Sequence, residues 1–505
     1  MSQHLVVSAL SSAQAKASLT VSQISVDGFA GEQQTRGEKI EKLRRYIDGD
    51  SDAQMTTEMR DQLRVGADSS AFGINHLARI VQAVSDRLEL KRIEDTSKAA
   101  NDWIQKVSDF NELDELQLAV HDSALADGDT YLTQEWDNDK QQVRFIPAPA
   151  YDGSSGLQVL YENRGRSEIA LAIKVWNITS EGGSIADTVR INVYYPDKIQ
   201  KFVSKNEHLS PFIDDSTDAD GVAPWTDSAG KPLGVPVTHF KNDARAHDNY
   251  GRSAIDDAIP IQDVINRFSH SCVSSAELAG FPVRKAINFD PPAALAPGDW
   301  LVIHGSTPDN PVDAEFMGQG EIAPFLDGIA FYVRQMYLIT NTPDPENMGS
   351  SVSSGEALKQ REIGLLGKVK RAQISFGNAW ERAFESAHRI ATAFSAEKPP
   401  AFENFEAEWR EAEIRNVKEL TENILLISDK IGDEMTIRML ANVYGWTEDE
   451  IGNILAQKES AMERNVAALG AQIPRFNNLF TPNASNRVGG QPTPLNGNQQ
   501  NLAAV

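Results

Sequence analysis

The run from Ser354 to Phe394 constrains the fold more than any other stretch of this chain. Apolar residues recur at Leu358, Leu365, Val369, Ala372, Phe376, Ala379, Ala383, Ala387 and Ile390. Gaps of three, four and seven keep them on one side of a helix, facing a partner. Ser353 stands where an N-cap belongs, Gly355 follows, and Glu356 lies three residues beyond the cap. That spacing predicts a capping box, in which hydroxyl and carboxylate each satisfy a backbone amide at the helix start. Pro399-Pro400 ends the run, since proline cannot donate the helix hydrogen bond. At ~1.5 Å per residue the helix spans roughly 60 Å, longer than a small domain is wide. The preceding stretch, Asn341-Thr342-Pro343-Asp344-Pro345-Glu346-Asn347-Met348-Gly349-Ser350, is broken by prolines and glycine and reads as loop. A polar loop held on so long a rod suits an assembly that positions the loop in space better than it suits an enzyme core.

Length and composition bound the rest. With 505 residues the chain has room for several domains with real cores. No apolar run approaches the ~20 residues a membrane span needs, so no membrane partner is expected. The N-terminus lacks a basic region followed by an apolar block, so no secretory leader is expected. Cys272 is the single cysteine, which excludes an internal disulfide framework and fits a reducing compartment. The net charge of -24 argues against tight nucleic-acid binding, which depends on Lys and Arg displacing counterions from phosphate. It leaves room for DNA that is touched without being gripped.

Along the chain, residues 1–36 read as a flexible arm rich in Ser, Ala and Gln. Amphipathic helices follow around Ile40–Ile47, Leu77–Leu88 and Trp103–Asp127, the last read as one helical region through Leu113, Leu116 and Val120. The pattern then turns to β at 130–133, 142–146, 157–161, 169–176, 189–194 and 237–240, which predicts one antiparallel sheet packed on the helices. Residues 206–232 read as a polar, acidic loop. Helices are predicted over 256–278 and 322–339. Between them lies a Pro- and Gly-rich insertion with strands at 283–287 and 300–303. It is too small to keep an independent core easily and suits packing against copies of itself. Beyond Pro400, Glu406–Ile431 reads as helix with Gly432 as its C-cap. Met435–Tyr444 is a further helix, and another starts with the capping box Thr447/Glu450. Residues 471–505, rich in Asn, Gln, Pro and Gly, read as a disordered tail. The class is α+β, mostly helical.

Catalytic signals are weak. Gly364-Leu365-Leu366-Gly367-Lys368 lacks the glycine a phosphate-binding loop needs first, and it lies inside the long helix. The nine histidines are scattered, without ligand spacing. Asp218, Asp220 and Gly221 echo a calcium loop, but Ser216 replaces the first ligand and Pro224 lies inside, so a solvated acidic loop is the stronger reading. Trp103, Trp176, Trp300, Trp380 and Trp446 fall on apolar faces or strands and are expected in cores.

Three stretches carry a resemblance to a known family. They are Tyr46-Ile47-Asp48-Gly49-Asp50; the run from Gly251-Arg252-Ser253-Ala254-Ile255-Asp256 through Val264-Ile265-Asn266; and Ser354-Gly355-Glu356-Ala357-Leu358-Lys359 followed by Lys368-Val369-Lys370-Arg371-Ala372-Gln373. With the order of elements, they resemble the portal proteins of tailed bacteriophages, the siphophage type in particular, over roughly residues 37–470. The resemblance implies a portal-type fold and a ring, usually a dodecamer, at one capsid vertex of the virion, put together in the host cytoplasm. Double-stranded DNA passes through such a ring during packaging and ejection. Residues 37–255 and 354–425 would form its wing, 256–280 and 321–340 its stem helices, 281–320 its clip, 341–353 its tunnel loop and 426–470 its crown. The implied partners are the terminase large subunit, then a head–tail adaptor, with the major capsid protein and scaffold around the ring. Neither enzymatic activity nor a cofactor is implied. Arg267, Arg284, Lys285 and Arg334 are the basic residues near stem and clip, for DNA contact or for salt bridges between subunits. Asp344 and Glu346 are the only charges between Asn341 and Ser350, so polar contact by Asn341, Thr342, Asn347 and Ser350, or steric gating, is expected there rather than a phosphate clamp. The alternatives are another ring-forming minor capsid or head-completion protein that conducts no DNA, and a metal-dependent hydrolase built on Asp218 and Asp220.

Overall fold

A computed structural model describes residues 26–52, 73–161, 168–179, 185–205, 208–246, 248–280, 284–288, 307–316, 321–343, 355–412, 417–444, 446, 450–458 and 460–461. The chain divides into two units, Met1–Glu413 and Ile414–Val505.

The first unit opens with α1 (Val26–Ile47), a helix that starts well inside the stretch read as a flexible arm. Polar anchors hold its middle turns. Gln33 donates to the Tyr250 hydroxyl at 2.6 Å, and the Arg36 guanidinium lies 3.8 Å over the Tyr250 ring. Among the described side chains of α1, which begin at Glu32, apolar residues enter the core from Ile40 on, with Leu43 and Tyr46. α2 (Leu77–Ser85) buries Leu77, Ile80, Val81 and Val84. It leads to β1 (Leu90–Asp95), which the sequence pattern does not reveal. The helical region that follows is two helices, α3 (Lys98–Phe110) and α4 (Leu113–Asp127). They break at Glu112, which takes the left-handed φ of 48°. Asn111 staples this corner to the neighbouring strand, donating to Val143 O at 2.9 Å and accepting from Phe145 N at 2.7 Å.

The β region is β2 (Asp129–Asp137), β3 (Gln142–Pro149), β4 (Gly156–Tyr161), β5 (Ile169–Thr179), β6 (Ile185–Tyr194), β7 (Lys198–Lys205), β8 (His208–Pro211), β9 (Val222–Pro224) and β10 (Val237–Lys241). It forms two antiparallel sheets rather than one. A three-stranded sheet runs β10-β2-β3, and a larger one runs β4-β5-β6-β7-β8 with β9 also on β7. The chain changes sheet at Gly156, where φ is 116° and a Cβ would lie 2.7 Å from Ala150 O. β8 and β9 occupy part of the stretch read as acidic loop.

Next come α5 (Ile259–Gly280), β11 (Arg284–Ile287), β12 (Asp313–Phe316), α6 (Ala323–Ile339), α7 (Gly355–Phe394) and β13 (Phe405–Trp409). β11 falls where expected, and its antiparallel partner is β12. The predicted strand at 300–303 lies outside the described residues, as do Ser353 and Thr447 of the two capping boxes. Gly355 and Glu356 open α7, and the Glu356 side chain is also outside. β13 corrects a helix reading: it pairs antiparallel with β1, Ile93 opposite Ala407. Phe405, Ala407 and Trp409 alternate, and all three pack against the core.

α7 is the spine of that core. Leu365, Val369, Ala372, Phe376, Ala379, Ala383, Ala387 and Ile390 are all buried, with Trp380 and Phe384 beside them. Trp380 Nε1 donates to His121 Nε2 at 3.0 Å, and His121 Nδ1 faces Leu88 O at 3.2 Å. His121 is therefore the neutral Nδ1–H tautomer, and burial pushes its pKa down to about 4. Among the described residues no helix is long and apolar enough to cross a membrane.

The second unit holds α8 (Val417–Ile431) and α9 (Asp433–Tyr444), joined at Gly432, whose φ of 81° suits the expected C-cap. Ile437, Ala441 and Ile451 form its small core.

Candidate functional site

α5 and α6 lie side by side as a hairpin. Gly328 lets them close: a Cβ there would lie 2.7 Å from the Phe268 ring. The Phe268 and Tyr332 rings stand 5.7 Å apart. The base of α5 is clamped by polar side chains. Gln262 accepts from His76 N at 3.1 Å, Asn266 accepts from Ile74 N at 3.1 Å, and Tyr46 donates to Asp263 at 2.8 Å. Leu326, Phe331, Leu338 and Ile339 of α6 remain half or more exposed.

The end of α6 is a formal stop. Asn341 takes the left-handed φ of 50°, its amide bonds Leu338 O at 3.2 Å, and Thr342 N bonds Tyr337 O at 2.9 Å. This pair of bonds is a Schellman motif, which satisfies carbonyls a helix end would otherwise leave open. The Asn341 side chain then meets α7 where α7 has no side chain: a Cβ on Gly364 would lie 3.0 Å from both Asn341 Cβ and Oδ1. Asn341 and Thr342, two of the residues expected to make polar contact, thus also end α6; Asn341 is exposed and Thr342 is buried. Pro343 follows half-buried. Asp344, Pro345, Glu346, Asn347, Met348, Gly349 and Ser350 lie outside the described residues.

Arg267 on α5 and Arg334 on α6 are exposed. Neither forms an ion pair among the described residues. Arg284 and Lys285 lie on β11, in register with Phe316 and Glu315 of β12.

Beside the entry to α5 sits a buried ionic junction that sequence reasoning missed. Asp129 is fully buried. It pairs with Arg36, bonds His239 Nε2 at 2.6 Å and accepts from Gly251 N at 2.7 Å. Tyr161 donates to His239 Nδ1, so His239 is the neutral Nε2–H tautomer. Burial alone would raise the Asp129 carboxyl pKa, but Arg36, His239 and the Gly251 amide hold it well below the usual range. Burial pushes His239 down to about 4, with Asp129 opposing. The available signal was the string Gly128-Asp129 at a helix end and Gly251 ahead of α5, but nothing local joins positions so far apart.

Both buried histidines make the fold acid-sensitive. Below about pH 6.5 the unfolded chain binds protons that folded His121 refuses until about pH 4, so stability falls as pH drops through that window. For His121 the loss is about 3 kcal/mol. In urea unfolding followed from pH 7 to pH 4, His121→Gln is expected to flatten the curve by that amount; an unchanged curve would show that His121 does not carry the acid sensitivity.

The acidic loop is built from turns. Asp218 Oδ1 accepts from the amides of Asp220 and Val222, both at 2.9 Å, and Asp227 Oδ1 accepts from Ala229 and Lys231, both at 2.8 Å. Those carboxylates satisfy their own backbone. Among the described residues no three His, Cys, Asp or Glu side chains are grouped to hold a metal ion.

The features above, a helical hairpin clamped at its base and pinned by its last turn to a very long helix, coincide with a family-wide match. The chain matches the model of the family described as phage portal protein, SPP1 Gp6-like, over residues 30–464, and it belongs to that family of structural virion proteins. It is 27% identical over 202 residues to the portal protein of Mycobacterium phage D29, a span covering 37% of this chain and 41% of that protein. The portal protein of Mycobacterium phage L5 matches with the same identity and coverage, 27% over 202 residues, so the matched span is less than half of either relative. Among solved structures, the neck of an empty gene transfer agent particle aligns with TM-score 0.38 and 13% identity over 72% of this chain and 88% of that one. A chain of the native gene transfer agent virion aligns with TM-score 0.36 and 13% identity over 80% and 99%.

Proposed function

We propose that copies of this chain form a ring at one capsid vertex, and that double-stranded DNA is packaged and ejected through its channel. The observation that carries this reading is the end of α6: a Schellman stop at Asn341, pinned on Gly364 of α7, launches the 341–353 segment from a fixed point. In this reading α5 and α6 are the stem, 281–320 the clip, 341–353 the tunnel loop, 37–255 with 354–425 the wing, and 426–470 the crown. Leu326, Phe331, Leu338 and Ile339, exposed in one copy, suit burial against neighbouring copies. The net charge of -24 suits a conduit that must not hold its cargo, with exposed Arg267 and Arg334 giving weak, exchangeable contact with phosphate. The terminase large subunit, and later the head–tail adaptor, would dock at the clip, and the major capsid protein and scaffold at the wing.

Mass photometry with negative-stain imaging tests the ring. Assemblies of 55.5 kDa subunits near a dodecamer, with a central hole, are expected. A small closed dimer or tetramer without a channel would overturn the reading. The loop's launch point has its own test. Gly364→Val forces a branched side chain against Asn341 and is expected to leave rings intact while packaged DNA falls by about tenfold or more, the scale on which small misplacements act. Normal packaging by Gly364→Val would remove the pinned loop from the mechanism.

A further inference from the structure

β1 has a strand, β13, on one side only. Beside β1, the end of α3 and the start of α4 lies a cleft of about 410 Å³. In an antiparallel pair, successive residues alternate between exchanging both backbone bonds across the ladder and turning both groups outward. The neighbours of β1 show which do which. Arg410 N bonds Glu89 O at 2.9 Å across the ladder, so Leu90, the next residue, turns outward. There Gln117 of α4 takes both groups, accepting from Leu90 N at 2.7 Å and donating to Leu90 O at 3.4 Å. The register then shifts between Leu90 and Arg92. Asp95 at the far end also turns outward, and Asn101 of α3 holds its N and O, each at 2.7 Å. Between these caps lies Ile93, opposite Ala407, whose own amide turns away from β1 to Glu381 Oε1 at 3.2 Å. Ile93 N and O therefore face outward as well, and no group among the described residues meets them. Two side-chain amides thus cap this edge on either side of one open residue, itself only 5% exposed. Backbone groups left open at such burial are costly, and an open strand edge is where another chain adds.

The cleft lining says what kind of chain that is. Ile93, Ile104 and Leu113 give it an apolar floor. Asp109, Glu112, Asp114 and Glu115 form its helical rim, all exposed, and none of the four forms an ion pair among the described residues. The two cations of the lining are already engaged: Lys91 lies 2.9 Å from Glu408, and Arg92 lies 2.7 Å from Glu408 and 2.8 Å from Glu94. We infer that the open position receives an extended segment of a basic partner protein, one residue of which exchanges both backbone bonds with Ile93. Residues that face each other across strands share a side of the sheet, and side chains alternate along a strand. An apolar side chain on the paired residue therefore lies on the side of Ile104 and Leu113, and Lys or Arg two residues away in either direction shares that side with the rim carboxylates. Gln117 and Asn101 stop the pairing after that one residue, so the grip is one backbone exchange, one apolar side chain and charge. The position exists in a single copy and does not depend on a ring.

The probe is fluorescein-labelled Arg-Thr-Val-Thr-Arg-amide, with two counterparts. One has Glu in place of both Arg; the other has N-methyl-Val, which lacks the N–H that bonds Ile93 O. Fluorescence anisotropy with the full chain is expected to give each counterpart a Kd about tenfold weaker or more. At a free peptide concentration about ten times its Kd, hydrogen exchange at the Ile93 amide is expected to slow by about tenfold. Asp109→Lys with Glu112→Lys, both at exposed positions, should weaken the probe by about tenfold or more and leave the melting temperature unchanged. Equal affinity for the N-methyl peptide, or binding that leaves Ile93 exchange unchanged, would overturn the strand pairing. Equal affinity for the Glu peptide, or for the probe on the double variant, would overturn the basic partner. No binding of the probe at about 10 mM, weaker than any specific contact of this kind, would overturn both. Slow exchange at Ile93 in the chain alone would show the position already filled by the chain itself, and the inference would be wrong.

Discussion

Asp129→Asn is expected to cost about 3–5 kcal/mol of folding stability, the range for breaking a buried ion pair from one side. The substitution is nearly isosteric, so cavity formation contributes little. What it removes is the counter-charge to Arg36, whose side chain is 16% exposed. It also disturbs two acceptor positions, toward His239 and Gly251. The guanidinium cannot shed its proton, so the folded state must hold an unpaired cation among Tyr250, Tyr131 and His239. Arg36→Met removes that cation, and the double variant should be less destabilised than the sum of the two singles, the signature of direct coupling. The pH dependence gives an independent check. Because folded Asp129 titrates below its unfolded value, its contribution is complete above about pH 4 and fades as pH falls toward the folded pKa. Asp129→Asn should lack this acid limb. Urea midpoints for the three variants decide the matter; a loss below about 1 kcal/mol for Asp129→Asn would mean the junction is solvated and carries little.

How much of this was legible in the sequence depends on the range of the physics. The α7 stripe was readable because helical period is local, and each residue named on it that the structure describes is buried. The two helices of the hairpin and most β strands were readable for the same reason. β13 was not: Phe405-Glu406-Ala407-Glu408-Trp409 becomes a strand only by pairing with β1, far upstream. The split into two sheets turns on the φ of Gly156, which hydrophobic alternation does not report. α1 begins early because Gln33 and Arg36 find Tyr250 and Asp129, contacts that depend on the finished fold. At the candidate site, Asn341 was read as a loop residue, although Asn tolerates the left-handed region well and is a natural helix stop. Gly364 was weighed only as part of a failed phosphate loop. A glycine inside a long helix costs about 1 kcal/mol against Ala, and that cost was the readable hint of a close approach.

The second large effect is expected at Gly251, which stands where the chain leaves the sheets for α5. A Cβ at Gly251 would collide with Gly128 O and would lie 2.6 Å from Asn242 O and 2.8 Å from Asn242 N. All three are backbone atoms held in place: Asn242 N bonds Gly128 O at 2.9 Å and Arg252 N bonds Asn242 O at 2.8 Å. Gly128 faces the crossing from the other side, with φ of 88° and a would-be Cβ 2.9 Å from Arg252 C. Two glycines thus let three chain segments cross where any side chain would force them apart. Ser253, bonded to Ala126 O at 2.5 Å, and Asn242, bonded to Arg252 O at 2.7 Å, lock the crossing on either side. Gly251→Ala is therefore expected to destabilise the chain by about 3 kcal/mol or more, and to loosen the Gly251–Asp129 bond along with it. Gly367→Ala supplies the contrast. Gly367 lies in α7 with nothing within 4 Å of its Cβ position, so Ala there should stabilise by about 0.5–1 kcal/mol. Urea unfolding of both variants, with hydrogen exchange at the first turns of α5, separates a tight crossing from a general preference for glycine. Equal, small effects at the two positions would refute the crossing; opposite signs, with faster exchange confined to Gly251→Ala, would place the origin of α5's position in the contact between Gly128 and Gly251.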